Sequence, residues 1–133
     1  MAKLHLDVVA AMIEKDGKVL LCQRRIGDHF GGLWEFPGGK LEDGETHEEG
    51  VAREMKEEIA INCEVGECVG IFEDEIPTLH IKVWLHRVTR WTGEIKNIEC
   101  QDHVFVTLAQ ALKFDLAPCD RKMVTAMFEQ KAV

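Results

Sequence analysis

Glu54, Glu57 and Glu58 are spaced for chemistry. In a helix, about 100° per residue sets them at roughly 0°, 300° and 40°, so the three carboxylates share one face. Like charges on adjacent turns repel, and a packed acidic face needs a counter-charge. A hard dication suits that role, because Mg²⁺ prefers carboxylate, carbonyl and water oxygens. Arg53 lies four residues before Glu57 and can hold it through a charge-assisted hydrogen bond. The competing reading of the glutamates is an ordinary solvated helix face. Gly38 and Gly39, just before the helix, shift the balance. Such a pair lets the backbone approach an anion closely or turn a carbonyl toward a metal.

The elements that must position these groups follow from the same stretch. Residues 39–61 read as a glycine loop running into a short helix. Thr46, with Glu49 three residues on, forms a capping-box pattern that fixes where the helix starts. Val51, Met55 and Ile59 fall at about 60°, 100° and 140°, an apolar stripe beside the acidic face that can seat the helix on a core.

Upstream, Leu4 to Glu14 is apolar and β-compatible, Asp16-Gly17 is a hairpin signal, and Val19 to Gln23 is the returning strand. Arg24 and Arg25 open a glycine-containing loop, and at least one of them suits a phosphate clamp beside a metal. Trp34 suits core or rim packing, and Phe36 can line a base pocket by stacking. Downstream, Ile61 to Glu75 reads as extended, with bends at Gly66 and Gly70. Leu79 to Trp91 alternates as a strand, Ile81, Val83 and Leu85 facing opposite to His80, Lys82, Trp84 and His86. Val104 to Thr107 is a short strand and Leu108 to Phe114 a short helix. A final helix opens at Pro118, with Met123, Val124, Met127 and Phe128 on its apolar side. Strands, a helix, more strands and a closing helix imply a sheet covered on both faces.

Composition excludes several classes. The chain of 133 residues reads as a single domain, 1–133, with 46% hydrophobic and 30% charged residues. No apolar run approaches the ~20 residues that span a bilayer, and the first residues lack a secretory pattern. Five cysteines with no tight pair read as reduced thiols in a cytoplasmic protein. His80 and His86 could be ligands with a cysteine, but as strand histidines with no second close pair they read as structural. A net charge of −8 argues against a nucleic-acid polymer but not against a nucleotide, since a dication and an arginine can reverse the local sign.

Gly39, Glu45, Arg53, Glu54, Met55, Glu57, Glu58 and Ile61 resemble, at unbroken spacing, the signature of the Nudix hydrolases. Ala60 is the departure, standing where the family has Gly and an αL helix cap is wanted. The resemblance extends along nearly the whole chain to the MutT-like branch, through the Arg24-Arg25 pair, LWEFPGGK, the ECQ loop and LAPCD. It implies an α/β (α+β) fold, the Nudix α/β/α sandwich with a mixed β-sheet between helices. It implies Mg²⁺-dependent hydrolysis of a nucleoside triphosphate to a monophosphate and pyrophosphate, with Mn²⁺ able to substitute. The substrates most similar in context are 8-oxo-dGTP and cytidine nucleotides, which would make it a nucleotide-pool sanitising enzyme.

By the same resemblance, Glu54, Glu57, Glu58, Glu99 and the Gly38 carbonyl hold metal, and Glu99 is a candidate base. Arg53 supports the carboxylates, and Arg24, Glu35, Phe36 and Asp120 contact substrate. Asp120 is read as an ionised, acceptor-only partner of the base, or else as a helix-dipole complement. The expected partners are a small nucleotide and, at most, a second copy of the chain, as monomer or homodimer. Two alternatives stay open: hydrolysis of a sugar nucleotide or dinucleoside polyphosphate, and a non-catalytic nucleotide-binding module.

Overall fold

The computed structural model describes residues 3–131. Strand β1 (Leu4–Lys15) is the centre of the fold. Val8, Ala10 and Met12 enter one core, while Val9, Ala11 and Ile13 enter the other. Burial on both faces explains why the segment is a continuous apolar run rather than an alternating one. β2 (Lys18–Gln23) divides the same way, Val19 and Leu21 against Leu20 and Cys22. Asp16 and Gly17 both take positive φ, 53° and 76°, which closes the hairpin as its Asp-Gly pair predicts.

Beyond the hairpin the two strands part. β1 and β2 pair only at Glu14–Val19 and Lys15–Lys18. β3 (Trp34–Glu35) then takes the place of β1 on β2, and β4 (Gly38–Lys40) takes the place of β2 on β1. The segment from Trp34 to Lys40 therefore crosses the split in the sheet.

Helix α1 (His47–Ile59) lies on one face, where Val51, Met55 and Ile59 are fully buried. The short α2 (Leu108–Ala111) and α3 (Pro118–Lys131) cover the other. The sheet is mixed, with β7 (Leu79–Val88) parallel to β1 and antiparallel to β6 (Cys68–Ile76). β9 (Asp102–Val106) pairs with the outer edge of β2. The expected sandwich is present. No helix among the described residues is long and apolar enough to cross a membrane.

Three elements differ from the sequence reading. The extended stretch after α1 is two strands, β5 (Asn62–Glu64) and β6, and β5 pairs outside the main sheet with β8 (Arg90–Thr92). The long strand beginning at Leu79 accordingly ends at Val88. The register shift between Cys68 and Gly70 supplies the bend expected at Gly70. On α3, Met123, Val124 and Met127 are buried but Phe128 is 38% exposed.

Candidate active site

Thr46 caps α1 in both directions: Glu49 N–H donates to its hydroxyl, and its own N–H donates to the Glu49 carboxylate. The helix start is thereby fixed, and the acidic face is aimed at the split in the sheet. Glu58 is buried and Glu57 is half exposed, with the Glu54 side chain between them at 12% exposure.

Gly38 and Gly39 lie in a strand, not in a loop, and neither has positive φ. Their requirement is close approach. A Cβ on Gly38 would overlap the Val9 carbonyl oxygen, and one on Gly39 would overlap the Glu54 carboxylate. Gly38 N–H donates to Glu58 Oε2 at 3.1 Å, locking β4 to the acidic face.

Arg53 organises the same face from the side. Its Nε and a terminal nitrogen reach Glu45 at 2.6 and 2.9 Å, another bond goes to the Lys40 carbonyl at 2.9 Å, and the remaining nitrogen lies 3.3 Å from Glu54 and 3.2 Å from Glu57. The fork geometry of a guanidinium suits this multidentate task. The bond to Arg53 holds the Glu45 carboxyl down at about 2.

Of the other acids, Glu54 and Glu57 share one Arg53 nitrogen and Glu35 is bonded to Arg24, while among the described residues the Glu58 carboxylate accepts only from the Gly38 N–H. Burial pushes Glu58 up to about 9, and the charges of Glu35 and Glu54 add to it. Burial also raises Glu54 and Glu35, against the pull of Arg53 and Arg24 respectively. Glu99 N–H donates to the Glu58 carbonyl at 3.2 Å, and Glu99 joins Glu58, Glu35 and Gly38 around a cavity of about 130 Å³. Among the described residues no three acidic, His or Cys side chains already close round one point. The donor set nevertheless fits a hard cation: oxygen ligands on three elements, with excess negative charge that a dication would relieve.

A second cavity of about 500 Å³ adjoins it, bounded by β1, β7 and the start of α3 and reaching Arg24, Phe36, Gly38 and Asp120. Its size and mixed lining suit a nucleoside. Phe36 lines this cavity with its ring packed in the core at 2% exposure. Its backbone N–H donates to Asp120 Oδ2 at 2.8 Å. Asp120 is itself buried, and desolvation followed by the charge of Glu35 drives its carboxyl well above the usual range. Burial thus works against the ionised acceptor that its residue type suggested. A protonated Asp120 can donate as well as accept. Arg24 is likewise engaged: it donates to the His29 carbonyl at 2.6 Å and to Glu35 at 3.1 and 3.3 Å.

Residues outside the motif complete the site. Cys100 borders the small cavity, and the buried Cys22 thiol is raised chiefly by its hydrogen bond to Cys100. Val8, Ile81 and Met123 wall the larger cavity. Only the parallel pairing of β1 with β7 brings Val8 beside residues more than seventy positions away, and no local signal carries that. A cleft of about 560 Å³ at the hairpin end, between Lys15, Arg87 and Met127, holds none of the α1 carboxylates.

Comparison with known proteins agrees with this geometry. The NUDIX domain model matches residues 3–127. The chain is 37% identical over 129 residues to a CTP pyrophosphohydrolase of Escherichia coli (strain K12), covering 96% of this chain and 94% of that protein. It is 40% identical over 96 residues to an 8-oxo-dGTP diphosphatase of Proteus vulgaris, covering 71% and 86%. The solution structure of the E. coli ORF135 protein superimposes with a TM-score of 0.88 at 36% identity, over 98% of this chain and 93% of that one. With its signature helix, mixed sheet and nearly full-length family match, the chain belongs to the Nudix hydrolases, enzymes that work with a divalent metal.

Proposed function

We propose that this enzyme hydrolyses a cytidine or oxidised guanine nucleoside triphosphate to the monophosphate and pyrophosphate, using Mg²⁺, in the cytoplasm. The observation that carries the reading is the adjacency of the acidic face of α1, through the small cavity at Glu58, to a nucleoside-sized cavity, with Gly38 lining both cavities. The names of the E. coli and P. vulgaris relatives favour those two bases.

In this reading Glu54, Glu57, Glu58, Glu99 and the Gly38 carbonyl hold the cation. Once bound, it neutralises the phosphate oxygens and lowers the pKa of an attacking water. Arg53 keeps Glu54 and Glu57 in place throughout. Glu99, on a loop across from the helix, takes the proton of the water. Arg24 turns from Glu35 toward the phosphate chain. Asp120, held by the Phe36 N–H, reads the base as a neutral carboxyl, able to accept from an exocyclic amine and to donate to a ring acceptor.

The test is a nucleotide panel in Mg²⁺ that follows pyrophosphate and orthophosphate separately, containing CTP, 8-oxo-dGTP, the common dNTPs, ADP-ribose and a dinucleoside tetraphosphate. Pyrophosphate release led by CTP or 8-oxo-dGTP is expected. Turnover confined to ADP-ribose or the tetraphosphate would overturn the substrate while leaving the acidic site. Binding without turnover would make the chain a recognition module.

A further inference from the structure

His5 of β1 and His80 of β7 sit directly opposite each other on these parallel strands, with Glu75 of β6 opposite His80 on its other side. The three side chains therefore form one row across three adjacent strands. It lies on the α1 face, since Ile81 and Val83 carry the opposite parity into the α3-side core. Residues directly opposite in a sheet have Cβ atoms about 4.5–5.5 Å apart, so a common ligand is within reach of all three.

The ring nitrogens converge. His5 Nδ1 lies 3.1 Å from His80 Nδ1, with the ring planes at 75°. A tetrahedral cation about 2.0 Å from each of two nitrogens sets them about 3.3 Å apart, so a shift of a few tenths of an ångström suffices. The far nitrogen of His80 faces an acid: Nε2 lies 3.2 Å from the Glu73 carboxylate. That places a carboxylate behind the imidazole on the side away from His5, where metal-binding histidines characteristically have one. Glu75 is turned toward Lys3. No trio is preformed among the described residues, and Glu75 completes the set by rotating from Lys3 to the imidazoles.

We infer that His5, His80 and Glu75 form a second metal site, for a borderline dication of the zinc class, separate from the carboxylate site of α1. Imidazole ligands select zinc, nickel or copper over the oxygen-seeking Mg²⁺. A cation there would tie β1, β7 and β6 together at the end of the sheet where β1 and β7 begin.

Equilibrium dialysis of the full chain against Zn²⁺ in saturating Mg²⁺ tests this. The wild type and the Glu54→Gln/Glu57→Gln double variant are expected to retain stoichiometric zinc, and His5→Gln and His80→Gln to lose it. Glu73→Gln, which removes the negative charge beside His80 Nε2, is expected to weaken binding about 10–100-fold. Both histidine variants are expected to keep the wild-type Mg²⁺-supported hydrolysis rate. No zinc on the wild type, equal zinc on the histidine variants, or zinc lost only from the glutamate double variant would each overturn the site.

Discussion

The Asp120 carboxylate at the start of α3 accepts the Phe36 backbone N–H at 2.8 Å, joining residues 84 positions apart. This bond ties the base-side cavity to the strand that leads into the acidic site. Asp120 is raised by burial, so its proton is bound more tightly in the folded chain than in the unfolded one. The linkage sign follows: the contribution to stability is complete below the ordinary Asp range and is lost as pH climbs through the raised value. Asp120→Asn keeps an acceptor for Phe36 and cannot ionise. Thermal midpoints of the two proteins are expected to run parallel in acid, with the variant falling less toward alkaline pH. Identical slopes would show that Asp120 is ionised throughout.

The two neighbouring glycines should fail differently. A Cβ on Gly38 meets backbone atoms of Val9 and Ala10, which cannot step aside. Gly38→Ala is expected to cost about 1–3 kcal/mol by denaturant titration. A Cβ on Gly39 meets only the end of the Glu54 side chain, which can rotate away. Gly39→Ala should fold almost normally yet lose about 10²-fold in kcat through the displaced carboxylate. Equal stability losses in the two variants would contradict this division.

Ala60 occupies the left-handed C-cap of α1 with φ 63°, while its N–H still bonds to the Lys56 carbonyl at 3.2 Å. The cap therefore survives the family's missing glycine at the expense of Cβ strain. Ala60→Gly is expected to stabilise the protein by about 1 kcal/mol and raise Tm by a few degrees. A lowered Tm would mean that the Cβ makes a compensating contact.

Much of this site was legible in the sequence because its signals are local. The Thr46–Glu49 box and the 3.6-residue spacing of Glu54, Glu57 and Glu58 need no tertiary information, and the structure repeats them. The glycine pair was misread as a loop because glycine type alone cannot distinguish a turn from close backbone approach. Phe36 and Asp120 were read by residue type. Their burial, and hence a core-packed ring and a desolvated carboxyl, depends on α3 closing over the sheet. The His5–His80 pair lies across strand neighbours that alternation alone could not identify, and Cys100 meets Cys22 from the loop before β9.

Glu58 links metal binding to protons. Its folded value of about 9 against an ordinary 4.5 means that the metal-free protein gains stability from the bound proton below 4.5 and loses it as pH rises through 9. A cation requires the ionised carboxylate, so binding near neutrality should expel about one proton. Calorimetry of Mg²⁺ binding in buffers of different ionisation enthalpy reads that release, and affinity should rise with pH across the same window. Glu58→Gln should abolish the release. Binding with no proton exchange would contradict the buried, protonated state.

The central claim is that the carboxylate face of α1 drives hydrolysis. Pyrophosphate release in Mg²⁺ by the wild type and by Glu57→Gln, each checked for fold by circular dichroism, tests it most directly. Glu57 is half exposed, so its amide should leave the fold intact. A fall in kcat of about 10³-fold is expected, equivalent to about 4 kcal/mol of lost transition-state stabilisation. A folded variant that retains the wild-type kcat would contradict the claim.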